Sequence, residues 1–179
     1  ERVEVLRGPQ STLFGKNASV GVISVVTARP SDELIGSVEA TAGNYGQTII
    51  KGHVSGPIED GVGFSLSAGM NQRDGFADNL ATGEKYNERD RWNVRGQFLM
   101  EPTENLSIRF IGDYDKIDEN CCGSANILAG GTVPIIFGVG GAMTVEDPFG
   151  RQAYNNYEPR NEIENSGFSM QADWDLANS

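Results

Sequence analysis

Residues 8–17 read Gly-Pro-Gln-Ser-Thr-Leu-Phe-Gly-Lys-Asn, a run close to a phosphate-binding loop. Such a loop needs a glycine, four spacers, then Gly-Lys and a hydroxyl residue, because backbone N–H groups cradle phosphate and the hydroxyl reaches magnesium. Gly15 and Lys16 fit, but Gln10 stands where the first glycine belongs and Asn17 replaces the hydroxyl. The run therefore reads as two tight turns, one at Gly8-Pro9 and one at Gly15, since glycine reaches positive φ and proline presets a turn. The remaining candidates for chemistry are sparse. The single histidine, His53, sits among polar residues of a strand, and no serine or cysteine has the neighbours of a nucleophile and its base. The glycine-rich run 130–141 lacks the strand and helix that frame a dinucleotide site and reads as loop. No catalytic, cofactor-binding or metal-binding residue is predicted, and the chain is not read as an enzyme.

Cys121 and Cys122 are adjacent. They can close a vicinal disulfide, pair with cysteines elsewhere, or remain thiols. Two neighbouring thiolates without a nearby histidine make a poor metal site.

Composition limits what can surround these residues. The chain has 179 residues, 23 glycines, 38% apolar content and a formal charge of −11. Residues 1–100 carry 10 basic against 12 acidic side chains, and residues 101–179 carry 4 against 13. That balance disfavours a nucleic-acid surface, which needs basic patches against phosphate. No run of about 18 apolar residues is present, so no transmembrane helix is expected. No signal peptide is recognisable, and the abrupt start and end suggest a piece of a longer protein.

Period-2 alternation, the signature of a half-buried strand, recurs along the chain. Val62, Phe64, Leu66, Ala68 and Met70 share one face, with Gly63, Ser65, Ser67, Gly69 and Asn71 on the other. Residues 92–100, 106–115 and 168–176 alternate likewise, with Leu99 and Ile111 as exceptions. Shorter strands around 38–42 and 50–54 complete a set of six. From the second link onward, short turns and long connections alternate, the longest running from about 118 to 165. Strands of roughly 9–11 residues joined in this way indicate an outer-membrane barrel. A soluble all-β sandwich, as in a secreted binding or adhesion domain, has the same alternation. Three features favour the barrel. Small residues are frequent on the apolar faces (Ala40, Ala42, Gly52, Gly96, Ala172). Aromatics, among them Trp92, Tyr114 and Trp174, lie near the ends of the apolar stripes. Glu39, Lys51, Arg95, Arg109 and Asp173 all fall on the opposite faces.

Residues 1–30 then resemble the end of the plug domain of TonB-dependent receptors: a strand 2–9, a glycine-bearing turn 13–19, a second strand 20–27 and an exit through 28–30. Residues 36–46 and 54–61 are similar to that family's first barrel hairpin, and 74–79, 101–106 and 173–176 also recur in it. The resemblance implies an all-β fragment of a plugged antiparallel transmembrane barrel, with 1–30 as the C-terminal part of the plug and 31–179 as the first barrel strands. It implies energy-coupled uptake of a ferric siderophore or similar bulky nutrient across a Gram-negative outer membrane. Its partners would be the TonB energy-transducing protein, acting through an N-terminal box absent here, and outer-membrane lipid and lipopolysaccharide. Glu4 and Arg7 would pair with the barrel wall, and Gly8, Pro9, Gly15 and Asn17 would shape the plug turns. In that setting the long loop is extracellular and oxidising, which favours a disulfide at Cys121 and Cys122. Its seven acids against two arginines argue against a highly anionic substrate.

Overall fold

The computed structural model describes residues 2–16, 18–123, 130–143 and 149–176. Its main body is one antiparallel sheet of six strands: β3 (Ile35–Ala42), β4 (Thr48–Glu59), β5 (Val62–Arg73), β8 (Arg89–Thr103), β9 (Leu106–Asn120) and β11 (Arg160–Trp174). Each pairs with its neighbours in chain order, apart from the short elements inserted between β5 and β8 and between β9 and β11. Ahead of it, β1 (Arg2–Arg7) and β2 (Gly21–Val26) form an antiparallel hairpin around the short helix α1 (Ser11–Phe14). A third, small sheet joins β6 (Ala77–Asn79), β7 (Lys85–Tyr86) and β10 (Gln152–Ala153), with β10 parallel to β6. Helix α2 (Val133–Gly138) lies in the run expected as loop, where Pro134 suits a first helical turn.

The register aligns the alternation of every strand into two continuous faces. One row runs Val38, Gly52, Ala68, Val94 and Tyr114, and another, two rows along, Phe64, Phe98, Phe110 and Met170, all on the apolar face. The opposite rows run Ser37, His53, Ser67, Arg95 and Asp113, and Glu39, Lys51, Gly69, Asn93 and Asp115. A sandwich would cover the apolar face with a second sheet. Here it is bare: Val38 is 82% exposed and Phe168 77%. Water does not tolerate so large an apolar surface, whereas lipid tails do.

Five of the six strands are longer than expected, at 12 to 15 residues, and β3 has 8. Charged residues end the apolar stripe at one end, but the ladder continues through them, from Ile163–Ile117 to Arg160–Asn120. The longest connection is correspondingly shorter, covering 121–159, and the connection before β8 covers 74–88. Both lie at one end of the sheet, with the tight turns after Glu59 and Thr103 at the other.

Candidate functional site

Residues 27–31, which connect the hairpin to the sheet, are tied to the polar face. Arg95 Nη2 donates to Thr27 Oγ1 at 3.4 Å and Gln97 Nε2 to the Ala28 carbonyl at 3.2 Å. Arg29 reaches Asp173 at 3.2 Å and Glu101 at 3.9 Å. The Ser31 N–H donates to buried Ser55 Oγ at 2.9 Å, and that hydroxyl donates to the Phe64 carbonyl at 2.9 Å. Gly63 leaves room for Pro30, whose Cβ would lie 3.1 Å from a side chain there. These contacts mark the polar face as the inward one. They also account for Leu99, an apolar residue on that face, which is buried there.

At the long-loop end the two faces carry opposite charge. Inward lie Arg73 and its cross-strand partner Arg89, then Arg91, and Glu119 opposite Asn161. Arg91 grips Glu119 with two N–H groups, Nε to Oε1 and Nη2 to Oε2 at 2.7 Å. Arg89 Nε stands 3.9 Å from the same carboxylate. The Arg91 hydrogen bonds hold the Glu119 carboxyl below the usual carboxylate range, against the desolvation of burial. Outward lie Gln72 opposite Asp90, and Asp118 opposite Glu162. Arg160 donates to both Asp118 oxygens at 2.9 and 2.8 Å, which lowers the Asp118 pKa. The Trp92 and Tyr114 rings, 5.0 Å apart, mark the boundary between this charged rim and the apolar band.

A loop layer folds over the inward side of this rim. Phe76 lies under the Arg73 guanidinium at 5.0 Å, and Arg151 lies over both Tyr45 and Phe76. Tyr86 is fully buried with Ala77 and Ala153. Asn79 is a buried node: its Nδ2 donates to Thr82 Oγ1 and the Asn155 carbonyl, and its Oδ1 accepts from the Ala81 and Asn155 N–H groups. Cys121 and Cys122 are joined to each other. Asn87 clasps the adjoining backbone, accepting from the Cys122 N–H at 3.1 Å and donating to the Gly123 carbonyl at 3.3 Å. Asn79, Asn87 and the arginine row gave no motif in the sequence. The only hint was Asn79 at the end of the segment 74–79.

The other candidates are placed as follows. Gly8 and Gly15 have φ of +86° and +81°, and the Gly8 N–H donates to the Val20 carbonyl at 2.9 Å, so Gly8-Pro9 turns back towards β2. Helix α1 precedes Gly15-Lys16 instead of following it, which is not the layout of a phosphate loop. Asn17 lies outside the described residues. Glu4 pairs with Arg2 of its own strand, and the Arg7 carbonyl accepts from the Gln10 amide at 3.4 Å. His53 meets Ser67 Oγ at 2.9 Å. Among the described residues no cluster of three or more metal-ligating side chains occurs.

No family model matches the chain. A pesticin receptor of Yersinia enterocolitica is 39% identical over 84 residues, 46% of this chain and 12% of that protein. An iron-regulated outer membrane virulence protein of Vibrio cholerae is 31% identical over 80 residues, 41% of this chain and 12% of that protein. The ferric yersiniabactin uptake receptor FyuA from Yersinia pestis superposes with a TM-score of 0.72 at 22% identity, covering 98% of this chain and 26% of that one. The chain is similar in sequence to segments of outer-membrane receptors and shares the fold of a segment of such a receptor. It spans about an eighth of the relatives it matches in sequence. In this segment the bare apolar face is the lipid-facing side of an open piece of barrel wall, and the arginine row lines the inner side.

Proposed function

We propose that residues 1–30 are the end of the plug and 31–179 the first six strands of the barrel. The complete protein then takes up a ferric siderophore or similar bulky nutrient, coupled to the TonB energy-transducing protein. The observation that carries this reading is the attachment of residues 27–31 to the polar face of a sheet whose other face is bare and apolar. A segment bound inside a lipid-facing wall is what a plugged transporter requires, and a porin-like or sandwich architecture does not need it. Glu4 and Arg7 belong, on this reading, to plug surface that meets wall strands beyond this chain. The long-loop end is the outer mouth, and its outward charged rim lies at the level of the lipopolysaccharide headgroups. The protein acts as a receptor and transporter and carries no catalytic site.

The test is uptake of radiolabelled ferric siderophores by cells with the full-length gene, without it, and with it after collapse of the proton gradient. Uptake that needs both the gene and the gradient is expected. Uptake unchanged by deletion of the gene across a panel of chelate classes refutes the proposal.

A further inference from the structure

We infer that residues 27–29 are a latch that leaves the barrel wall during transport, while Pro30 and Ser31 stay seated as its pivot. The inference rests on the proposed uptake function and locates where the plug parts from the wall. The two halves of this strap are held by different physics. Pro30 is buried, and its Cβ lies 3.1 Å from the position a side chain would take at buried Gly63. The Ser31 N–H donates to Ser55 Oγ at 2.9 Å, and that buried hydroxyl donates in turn to the Phe64 carbonyl. Lifting Pro30 and Ser31 would open a closely packed contact and strip a buried hydroxyl of its donor, both of which are costly.

Residues 27–29 have no such seat. Arg29 pairs with Asp173 at 3.2 Å and Glu101 at 3.9 Å, but all three side chains are half-exposed, and ion pairs in that setting contribute little and are screened by salt. The Thr27 hydroxyl accepts from Arg95 at 3.4 Å, a long bond. The same guanidinium donates to Asp113 at 3.2 Å, so Arg95 keeps a partner when Thr27 leaves. Holding the latch also leaves polar atoms unmet, because Arg95 Nε and Gln97 Oε1 are buried without a hydrogen-bond partner. Release wets both and offsets the loss of the bonds to Thr27 and to the Ala28 carbonyl. Ahead of the latch, among the described residues, every hydrogen bond and ion pair of 2–26 stays within the β1–β2 hairpin. No polar tie upstream of Thr27 therefore holds the plug to these six strands.

Two measurements on the full-length receptor test this. In the purified protein, nitroxide labels on Ala28→Cys and on Asp32→Cys report the two halves of the strap. Raising salt from about 0.1 to about 1 M, which shortens the screening length from about 10 to about 3 Å, should raise the mobile fraction several-fold at position 28 and leave position 32 unchanged. Equal responses, or none at position 28, overturn the latch whatever the receptor transports. In cells, a reversible thiol crosslinker ties Ala28→Cys to Gln97→Cys, or Ser31→Cys to Ser55→Cys, and each variant is compared before and after tethering. The probes are radiolabelled ferric tris-catecholate, tris-hydroxamate and citrate chelates, and the unaltered receptor, given the same crosslinker and reductant, is the control. The 28–97 tether should cut gradient-driven uptake about tenfold, with surface binding of the chelate unchanged and uptake restored when the crosslink is reduced. The 31–55 tether should leave uptake unchanged. Arg29→Cys with Asp173→Cys supplies a second latch tether if the first pair does not assemble. Uptake that survives a latch tether, or is lost with the pivot tether, overturns the inference. An unaltered receptor without gradient-driven uptake refutes the transport reading and with it the role of the latch in transport, while the nitroxide labels still decide whether 27–29 part from the wall.

Discussion

Glu119, 2% exposed, is held in the fork of the half-buried Arg91 guanidinium on the inward face, above the Trp92–Tyr114 ring pair. Removing one member of a fully buried pair costs about 3–5 kcal/mol. Arg91 remains partly solvated, so Glu119→Gln is expected to cost the full-length receptor about 1–2 kcal/mol. The pH dependence follows from the lowered carboxyl pKa. A group depressed in the folded state contributes its stability in full above the ordinary glutamate range and loses it as pH falls through the lower folded value. The unaltered receptor should lose part of its stability on the acid side of about pH 4, and Glu119→Gln should lack that component. Urea titrations of both proteins in detergent at a series of pH values measure this, and parallel acid profiles would contradict it.

Phe168 and Ser169 are sequence neighbours on opposite faces of β11. Phe168 is opposite Gly112 in the apolar row, and Ser169 is opposite Ile111 on the inward face. Arginine at Phe168 meets hydrocarbon and should cost about 2–4 kcal/mol near the bilayer midplane, whereas arginine at Ser169 should cost about 0–1 kcal/mol. Refolding of the full-length receptor into vesicles compares the two, and equal losses would remove the assignment of the faces. The same logic does not extend to Ser65, which is inward but buried beside the Ser55 hydroxyl and has no room for a long side chain.

The six strands and their two faces were legible because period-2 alternation survives wherever one side meets lipid and the other meets polar groups. Glu39, Lys51, Arg95, Arg109 and Asp173 all fall inward as their spacing indicates. Strand length was not legible. Above Trp92 and Tyr114 the ladder passes from apolar to charged residues, and a reading based on apolar stripes stops there although the backbone pairing continues to Asn120 and Arg160. The small sheet escaped for a different reason. Strands of two or three residues carry no periodicity, and β10 pairs with β6 across more than seventy residues. The arginine row was half hidden in the same way: Arg89 and Arg91 share a face two residues apart, but Arg73 joins them only through the β5–β8 register. At Cys121 and Cys122, adjacency alone left three states open.

Asn79 should be the residue on which the loop layer depends. Its four hydrogen bonds link 79–82 to Asn155, and it is buried with no water-facing atoms to compensate for their loss. Asn79→Ala leaves the Asn155 and Ala81 N–H groups unpaired and should lower the local opening energy by about 2 kcal/mol. Hydrogen exchange on the full-length receptor should then show faster exchange within 77–86 and 149–157 and unchanged protection in the centres of β8 and β9. Uniform loss across the sheet would mean that the node supports the whole fold and not the layer alone.

Cys121 and Cys122 are joined beside the clasp formed by Asn87, and Gly123 packs so closely on the buried Tyr86 ring that a Cβ there would overlap it. On intact cells a membrane-impermeant thiol reagent should label neither cysteine, and should label both after mild reduction, since the pair lies on the outer mouth in the proposed orientation. Labelling before reduction would show free thiols. The clasp makes a second, separable expectation. Because the Asn87 bonds run to backbone groups at Cys122 and Gly123 and not to sulfur, the double variant Cys121→Ser, Cys122→Ser should keep the loop in place and change protease sensitivity within 121–123 only slightly. Gly123→Ala should be the harsher change: overlap with Tyr86 displaces either that ring or the loop, at about 1–3 kcal/mol for overpacking. Limited proteolysis of the three receptors orders them, and a double cysteine variant cut faster than Gly123→Ala would assign the position of this loop to the disulfide instead of to Asn87 and Tyr86.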